Sequence, residues 1–585
     1  MKPRTLTLLA TTTALTSTFG AAAPIENPKS KIQNPNILFC IADDASYAHF
    51  GANGCSWVKT PAFDRVAREG LLFTRAYTPN SKCAPSRAVV LTGRNSWQLE
   101  SAANHGGYYP KGYTTFMEAL GKNGYFAGFT AKGWAPGDPG TVDGKPRQLT
   151  GLNYSKLKTT PPTDGISAID YAANFEEFLK DWKAKHPGEP FVFWYGSHEP
   201  HRKYTYGSGV ALGHKKLSDI DRVPPCWPDN EKVRNDMLDY ALEIEYYDTH
   251  LARMIALLEK IGELDNTLII VTSDNGMPFP RYKGTTYEFS THEPLAIRWP
   301  RGIKNPGRTV NDYVSFIDIA PTLMEAAGLD PATAGMMPVT GKSLAPIFRD
   351  DYAGKIAPGR DTLITGQERH DVGRPNDVGY PVRGLFAGDW IYLHNFEPSR
   401  WPMCDPITGY LNTDGGPTKT EVLNENRLGI NHWRWEIDFG RRPSEELYNL
   451  KTDPDCLNNL AANPACADRM KTMREQLFAT LKEQKDPRME GRGEIFDNYP
   501  HTPDGRFFYN RFMAGENMKA NWTTPTDFES PDFDPERPLA PKTPPALKPI
   551  PPDLTTPAAQ KPSGGKRKGG AKKPQPPPAA PGSSD

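Results

Sequence analysis

The sequence predicts an α/β fold built on a large, mostly parallel sheet flanked by helices. Four continuous apolar runs are typical of strands buried on both faces of such a sheet, at 36–41, 124–130, 191–195 and 267–272. Apolar residues recur at helical spacing in segments that separate or follow these runs, at 115–123, 168–185, 237–261 and 316–327. This alternation of strands and helices is the pattern of an α/β sheet.

The length of the chain predicts more than one domain. Its 585 residues are too many for one compact core. We expect the α/β domain over 35–350 and a smaller C-terminal α+β domain over 360–520, where short strand-like runs precede a helix at 467–485. Proline and lysine dominate 535–585, a composition that cannot form a core and predicts a disordered tail.

Charge and the N-terminus restrict the environment of the protein. Lys plus Arg and Asp plus Glu both number 69, so no global field favours nucleic acid or an anionic membrane. Residues 1–23 begin with Lys2 and Arg4, continue apolar and end in three alanines, as a signal peptide does. Since no other run is long enough to span a membrane, we expect an exported protein, periplasmic or secreted.

Cysteine usage points to one unusual residue. Seven cysteines are an odd set for an exported chain, which is compatible with a reactive or modified side chain. Cys456 and Cys466 are near enough in sequence to pair across a loop, but spacing alone does not decide whether they do.

Cys83 begins the stretch with the clearest chemical pattern, Cys83-Ala-Pro-Ser-Arg87 followed by Thr92-Gly-Arg94. Proline in a first helical turn is favoured, which would place Cys83 at the positive end of a helix dipole, where anions bind. A buried structural cysteine is the alternative. The matched positions favour a nucleophile held over an anionic group, with Arg87 one turn away.

Each of the four apolar runs ends in charged or metal-binding side chains. Because ligands bind outside the carboxyl ends of strands in open α/β sheets, we expect these side chains to share one pocket, against the alternative of four unrelated polar turns. They are Asp43, Asp44, Lys132, His198, Asp274 and Asn275.

This set predicts a metal-assisted oxyanion site. The oxygen ligands of Asp43, Asp44, Asp274 and Asn275 suit Ca²⁺ or Mg²⁺ better than zinc. Cations could bind a tetrahedral oxyanion and a histidine could protonate a leaving group. The candidates are Arg87, Lys132, Lys283 and His198.

The Cys83–Arg87 motif with Thr92-Gly-Arg94 resembles the signature of the formylglycine-dependent sulfatases of the alkaline phosphatase superfamily. The resemblance extends over 35–485 and includes Ser273-Asp-Asn-Gly276 and Glu446–Pro454. It implies an alkaline phosphatase-like fold and a formylglycine made from Cys83 by a separate sulfatase-maturing enzyme. It also implies the predicted metal ligands, commonly for Ca²⁺, and sulfate and leaving-group contacts at Arg87, Lys132, His198 and Lys283.

Within that family the sequence resembles the N-sulfoglucosamine sulfohydrolases, the heparan N-sulfatases. The shared phrases are His198-Glu-Pro-His-Arg202, Ser273–Pro280 and Arg369-His-Asp-Val372. The resemblance implies a sulfated saccharide substrate, in which the N-sulfate of a terminal glucosamine is hydrolysed. The implied sugar-pocket residues are Glu199, Arg202, His370 and Asp371.

Three other functions remain open on the sequence. They are an O-sulfatase acting on another sulfated glycan or aryl sulfate, a phosphonate or phosphodiester hydrolase of the same superfamily, and an inactive carbohydrate-binding envelope protein. One departure bears on the choice: many sulfatases carry Gly-Lys-Trp-His, whereas this chain has Ala131-Lys-Gly-Trp-Ala-Pro136 and lacks the histidine. His105 is not assigned to replace it.

Overall fold

The computed structural model describes residues 34–535. The predicted signal peptide therefore lies outside the described residues, as does the predicted tail beyond residue 535. Among the residues that are described, no helix is both long and apolar enough to cross a bilayer.

An eight-stranded sheet forms the centre of the molecule, in the order β8-β2-β7-β6-β1-β5-β3-β4. Its strands are β1 (Asn36–Ala42), β2 (Leu71–Phe73), β3 (Phe126–Ala131), β4 (Leu152–Asn153), β5 (Phe191–Gly196), β6 (Thr267–Ser273), β7 (Leu295–Arg298) and β8 (Arg308–Val310). Only β7 runs antiparallel to its neighbours, and the other pairs are parallel. The predicted α/β class with a mostly parallel sheet is confirmed.

Helices cover both faces of this sheet, and further helices belong to the C-terminal part of the chain. The longer ones are α1 (Pro61–Arg68), α2 (Cys83–Thr92), α3 (Phe116–Lys122), α4 (Tyr171–Lys185), α5 (Glu231–Lys260), α6 (Ile319–Ala326), α7 (Pro417–Arg427), α8 (His432–Phe439) and α9 (Ala467–Glu483). Shorter helices lie at Ser208–Ala211, Glu288–Thr291, Ala345–Phe348, Ile495–Asn498 and Phe508–Met513. Single 3₁₀ turns lie in the connections.

Strand β1 shows why the predicted strands are apolar along their whole length. Its alternate residues Leu38 and Cys40 enter the core with α1, α4 and α5, whereas Ile37 and Phe39 enter the core with α2, α3 and α6. A period of two with both faces covered requires every residue to be apolar. All four predicted runs are strands, the adjacent β6, β1, β5 and β3. The first three are buried on both faces, whereas alternate residues of β3 are only partly buried.

A second, antiparallel sheet follows in the C-terminal part. Its strands β9 (Thr362–Gln367), β10 (Val382–Ala387), β11 (Trp390–Asn395) and β12 (Glu445–Asn449) pair in chain order. Helix α9 packs on it through the predicted apolar face, with Met470, Met473, Leu477 and Leu481 buried. The smaller C-terminal α+β unit is thus present, and the boundaries 35–350 and 360–520 stay predictions.

All seven cysteines are unpaired in the structure. Cys456 is buried and Cys466 is partly exposed, and no bridge joins them.

Arg383 in β10 links the antiparallel sheet to the end of α9 and is fully buried. Its Nε donates to Asp486 at 2.7 Å and one terminal nitrogen donates to Glu368 at 2.7 Å. Because Arg383→Met leaves both carboxylates buried without this partner, we expect a loss of about 3–5 kcal/mol in the free energy of unfolding measured with urea. Arg68→Met, at an exposed arginine, is the control. A loss no larger than that of the control would contradict this interpretation.

Candidate functional site

The ends of β1, β3, β5 and β6 meet at one edge of the sheet, beside a cavity of about 850 Å³. Asp43, Lys132 and His198 follow three of these strands and line the cavity together with Cys83 and Lys283. The remaining predicted metal ligands, Asp44, Asp274 and Asn275, are fully buried behind this wall. The four strand ends therefore converge, as the topology predicts.

Cys83 is the first residue of α2, and Pro85 lies in the first turn. The helix ends at Gly93, whose φ of 68° is left-handed, and the Gly93 N–H bonds to the carbonyl of Val89. Only glycine adopts this conformation without strain, which accounts for the glycine of the Thr-Gly-Arg sequence. All ten residues of α2 are buried, so the position of Cys83 at the positive helix end is fixed.

Two further contacts fix the helix against the end of β6. The Ser86 hydroxyl donates to the backbone carbonyl of Asp274 at 2.5 Å. Arg87 donates through Nε to the Asp274 carboxylate at 2.8 Å and through a terminal nitrogen to the carbonyl of Lys132 at 2.9 Å. Arg87 is fully buried and does not line the cavity, so its guanidinium holds the acidic residues from behind.

The lysines of the cavity are bound to carboxylates. Lys132 Nζ lies 2.8 and 2.6 Å from the two oxygens of Asp43. Lys283 Nζ lies 2.6 Å from both Asp44 and Asp414. Burial alone raises the pKa of Asp43, but Lys132 and other nearby cations hold it well below its usual range. Asp43 is therefore ionised in the folded protein.

The buried acids fit a hard divalent cation. The Asn275 Nδ2 donates to Asp44 at 2.7 Å, while its Oδ1 is buried with no hydrogen-bond partner among the described residues. Ligand atoms of Asp43, Cys83 and Asp274 all lie within 4.8 Å of one another. Burial raises the pKa of Asp274 to about 6, a cost that a bound cation would offset. The unpartnered amide oxygen and the neighbouring carboxylates together form a ligand set that suits Ca²⁺ or Mg²⁺.

Two histidines of the loop after β5 reach the cavity. The His198 ring is exposed to it, and desolvation by the surrounding protein lowers its pKa to about 4, although Asp43 opposes this shift. His198 is therefore neutral near pH 7 in the free protein. His201 Nδ1 donates to the carbonyl of Arg202 at 2.6 Å, and its Nε2 lies 3.8 Å from Asp44.

The structure brings only two of the four predicted sugar-pocket residues to the cavity, Arg202 and Asp371. Glu199 is buried and accepts from Tyr171 at 2.7 Å. His370 is buried with Nε2 2.7 Å from the amide oxygen of Asn80. These two side chains form hydrogen bonds inside the protein and do not line the cavity.

Asp371 belongs to a buried cluster beside the start of α2. Lys82 Nζ lies 2.8 Å from one Asp371 oxygen, and His105 Nδ1 lies 3.5 Å from the other. Burial would raise the pKa of Asp371, but Lys82 and His105 lower it well below its usual range. Burial lowers the pKa of His105 to about 4. All three residues line the cavity, so the carboxylate of Asp371 is already ion-paired there.

The loop that lacks the expected histidine has a structural role. The Trp134 indole donates to the carbonyl of Ala84 at 2.9 Å, in the first turn of α2. Ala135 and Pro136, which follow Trp134, line the cavity. His105 reaches the same cavity from the loop before α3.

Several polar or aromatic residues in the cavity wall carry no assignment from the sequence, among them Lys82, His201, Asp414 and Trp522. Lys82 directly precedes the Cys83–Arg87 motif and His201 lies within His198–Arg202, so these motifs were a usable signal for both residues. Asp414 and Trp522 come from distant loops, and nothing in their local sequence indicates a functional site.

The comparisons with known proteins agree with this geometry. Residues 35–329 match the family profile described as Sulfatase. The chain belongs to the sulfatase family, whose members hydrolyse sulfuric esters and generally use formylglycine and a divalent metal.

Similar proteins have low sequence identity to this chain, but the alignments cover most of its length. The chain is 28% identical to an ulvan-active sulfatase of Formosa agariphila, over 79% of this chain and 83% of that protein. It is 27% identical to the N-sulphoglucosamine sulphohydrolase of Homo sapiens, over 77% of this chain and 91% of that protein. Its fold matches the structure of BT4656 in complex with its substrate D-glucosamine-2-N,6-O-disulfate, with a TM-score of 0.54 and 20% identity, over 77% and 98% of the chains.

Removing the charge of Lys82 tests the Asp371 cluster. In Lys82→Met the cation that opposes protonation of His105 is lost while the Asp371 carboxylate remains, so we expect the pKa of His105 to rise from about 4 toward the ordinary value. Histidine NMR titration measures this, with His105→Gln to assign the signal. Lys122→Met, at an exposed lysine, is the control, and an unchanged or lower midpoint in Lys82→Met would show that Lys82 does not act on this ring.

Proposed function

We propose that this sulfatase removes sulfate from a sulfated saccharide, and that its substrate carries the N-sulfate of a terminal glucosamine in heparan-type glycans. The observation that carries the proposal is the position of Cys83, at the positive end of α2 and in one cavity with Lys132, Lys283 and His198. The N-sulphoglucosamine sulphohydrolase of Homo sapiens and the glucosamine disulfate complex support this substrate class.

The free thiol of Cys83 is poorly suited to act by itself. Burial raises its pKa to about 12, with Lys132 opposing, so almost no thiolate exists near pH 7. This supports oxidation of Cys83 to formylglycine by a sulfatase-maturing enzyme, a partner that we propose with the function. Export through the predicted leader is part of the same proposal.

Asp43, Asp44, Asp274 and Asn275 would hold a divalent cation, which we propose to be Ca²⁺, with Mg²⁺ as the second choice. When they are in place, formylglycine supplies the nucleophilic oxygen and the cation supplies Lewis acidity toward a sulfate oxygen. Lys132 and Lys283 bind the anionic oxygens of the sulfate group. Arg87 holds Asp274 in place from behind.

His198 is the proton donor for the leaving group in this proposal. Its pKa of about 4 leaves the ring neutral in the free protein, mainly because of desolvation. A bound sulfate brings negative charge beside the ring and therefore raises this pKa. A protonated His198 can then donate to the leaving nitrogen of a sulfamate, which is more basic than a leaving oxygen.

A substrate panel tests the function. Mature protein should release sulfate from N-sulfoglucosamine, and its Cys83 peptide should be lighter than the thiol form by about 18 Da in mass spectrometry. The panel also contains 6-O-sulfated glucosamine, an aryl sulfate and an aryl phosphonate, with Cys83→Ala as the inactive control.

The panel outcomes separate the open functions. Faster turnover of an O-sulfate than of N-sulfoglucosamine would show that the protein is an O-sulfatase. Faster turnover of the phosphonate than of any sulfated compound would show that it is a phosphonate hydrolase. Failure to release sulfate from every sulfated compound by protein that carries the modification would overturn the proposal.

Loss of one buried carboxylate should weaken the binding of the cation. We expect Asp274→Asn to raise the dissociation constant for Ca²⁺ by at least about tenfold, because one ligand charge is removed. Isothermal titration calorimetry on unmodified protein measures this without turnover. Asp361→Asn, at an exposed carboxylate, is the control. Equal affinity of Asp274→Asn and wild type would remove Asp274 from the ligand set.

A further inference from the structure

Asp44 accepts hydrogen bonds at both of its carboxylate oxygens. The Asn275 amide donates to Oδ1 at 2.7 Å, and the Lys283 ammonium donates to Oδ2 at 2.6 Å. In the proposed function the same carboxylate ligates a divalent cation, whose charge repels the ammonium. Because Lys283 is only 1% exposed, water cannot stabilise its charge if the pair with Asp44 is lost. Lys283 therefore needs another carboxylate when Asp44 ligates a cation.

Asp414 provides a second carboxylate for this lysine. Its Oδ2 lies 2.6 Å from Lys283 Nζ, and both side chains line the main cavity. Burial raises the pKa of Asp414, but Lys283 and other nearby cations hold it well below its usual range. An ammonium group has three N–H donors, so Lys283 contacts Asp44 and Asp414 together and keeps one donor for the cavity.

The loop before Asp414 is fixed against the residue that follows Lys283. The Asn412 Nδ2 donates to the carbonyl of Gly284 at 2.8 Å. Gly284 has a φ of 74°, and a Cβ at this position would lie 2.8 Å from the Asn412 amide. Glycine therefore permits both the backbone conformation and the close approach of the two segments. This contact holds Asp414 beside Lys283 independently of their ion pair.

Lys132, the other lysine beside the predicted metal ligands, has no second carboxylate. Among the described residues, its only carboxylate partner is Asp43. The side chain of Lys132 is 11% exposed, against 1% for Lys283. Water in the cavity can therefore receive the ammonium of Lys132, whereas Lys283 depends on a protein carboxylate.

We propose that Asp414 is a positioning residue that retains the Lys283 ammonium when Asp44 ligates the divalent cation. Lys283 then remains ion-paired in the cavity, and its free donor reaches a sulfate oxygen of the substrate. The inference rests on the proposed function, because it takes Asp44 to be a ligand of the cation.

Calorimetry with Ca²⁺ on unmodified protein tests this role. We expect Asp414→Asn to raise the dissociation constant by about threefold to tenfold, because Lys283 then has no carboxylate other than Asp44. In a Lys283→Met background the same substitution should change the constant by less than about twofold. Asp371→Asn is the matched control, since Asp371 is a buried cavity carboxylate that pairs with Lys82, and it should leave Ca²⁺ affinity near that of wild type.

The double-mutant cycle separates positioning from direct ligation. Ligand atoms of Asp44, His201 and Asp414 lie within 4.8 Å of one another, so Asp414 is near enough to be a ligand itself. Direct ligation predicts an equal loss of Ca²⁺ affinity in both backgrounds, and that result would overturn the inference. An unchanged dissociation constant in Asp414→Asn would overturn it as well. Circular dichroism checks folding, and Lys283→Gln replaces Lys283→Met if the latter is unfolded.

Turnover by mature protein provides a second readout. At saturating Ca²⁺, Asp414→Asn should raise KM for the sulfated saccharide by about threefold to tenfold and lower kcat less, because Lys283 binds the sulfate oxygens less well. A fall in kcat alone would show that Asp414 does not act through Lys283. Failure of wild type to bind Ca²⁺ or Mg²⁺ would overturn the proposed cation site and this inference together. Absence of sulfate release, with the Ca²⁺ cycle as expected, would overturn only the proposed function.

Discussion

Buried carboxylates at the carboxyl edge of the sheet need cationic partners, and this need determines which side chains surround Cys83. Asp43, Asp44 and Asp274 are almost completely buried and are compensated by Lys132, Lys283 and Arg87. Removing one member of such a set leaves an uncompensated charge in a medium of low dielectric, which is strongly destabilising. A divalent cation at the acids would take over part of this compensation. The two lysines could then interact with an anionic substrate while the acids remain neutralised.

The C-terminal part of the chain completes this charge balance. Asp414 pairs with Lys283, and Asp371 pairs with Lys82, the residue before Cys83. Both carboxylates lie beyond residue 329, where the match to the sulfatase profile ends. The ends of the parallel strands and the start of α2 therefore carry the proposed metal ligands and nucleophile, and the later residues add Asp371, Asp414 and Trp522 to the cavity wall.

The sequence was informative where a feature depends on short-range pattern. Uniform apolar runs predicted β1, β3, β5 and β6, and the polar residues after them predicted one pocket, because parallel strands end at the same edge. Contacts between distant segments were not predictable in this way, as for Lys82 and Asp371. Glu199 and His370 were expected in the sugar pocket, but a motif gives the position of a residue and not the direction of its side chain. Buried partners, Tyr171 for Glu199 and Asn80 for His370, decide that direction.

The loop at Trp134 supports the helix that begins at Cys83. The indole N–H bonds to the first turn of α2, so this residue holds the helix next to Cys83 and places no histidine there. In the proposed reaction, proton transfer then depends on groups whose charge responds to the ligand. His198 is such a group, because desolvation keeps it neutral in the free protein and a bound anion favours its protonated form. An imidazole that is protonated in response to the substrate couples sulfate binding to proton donation, which suits a basic leaving nitrogen.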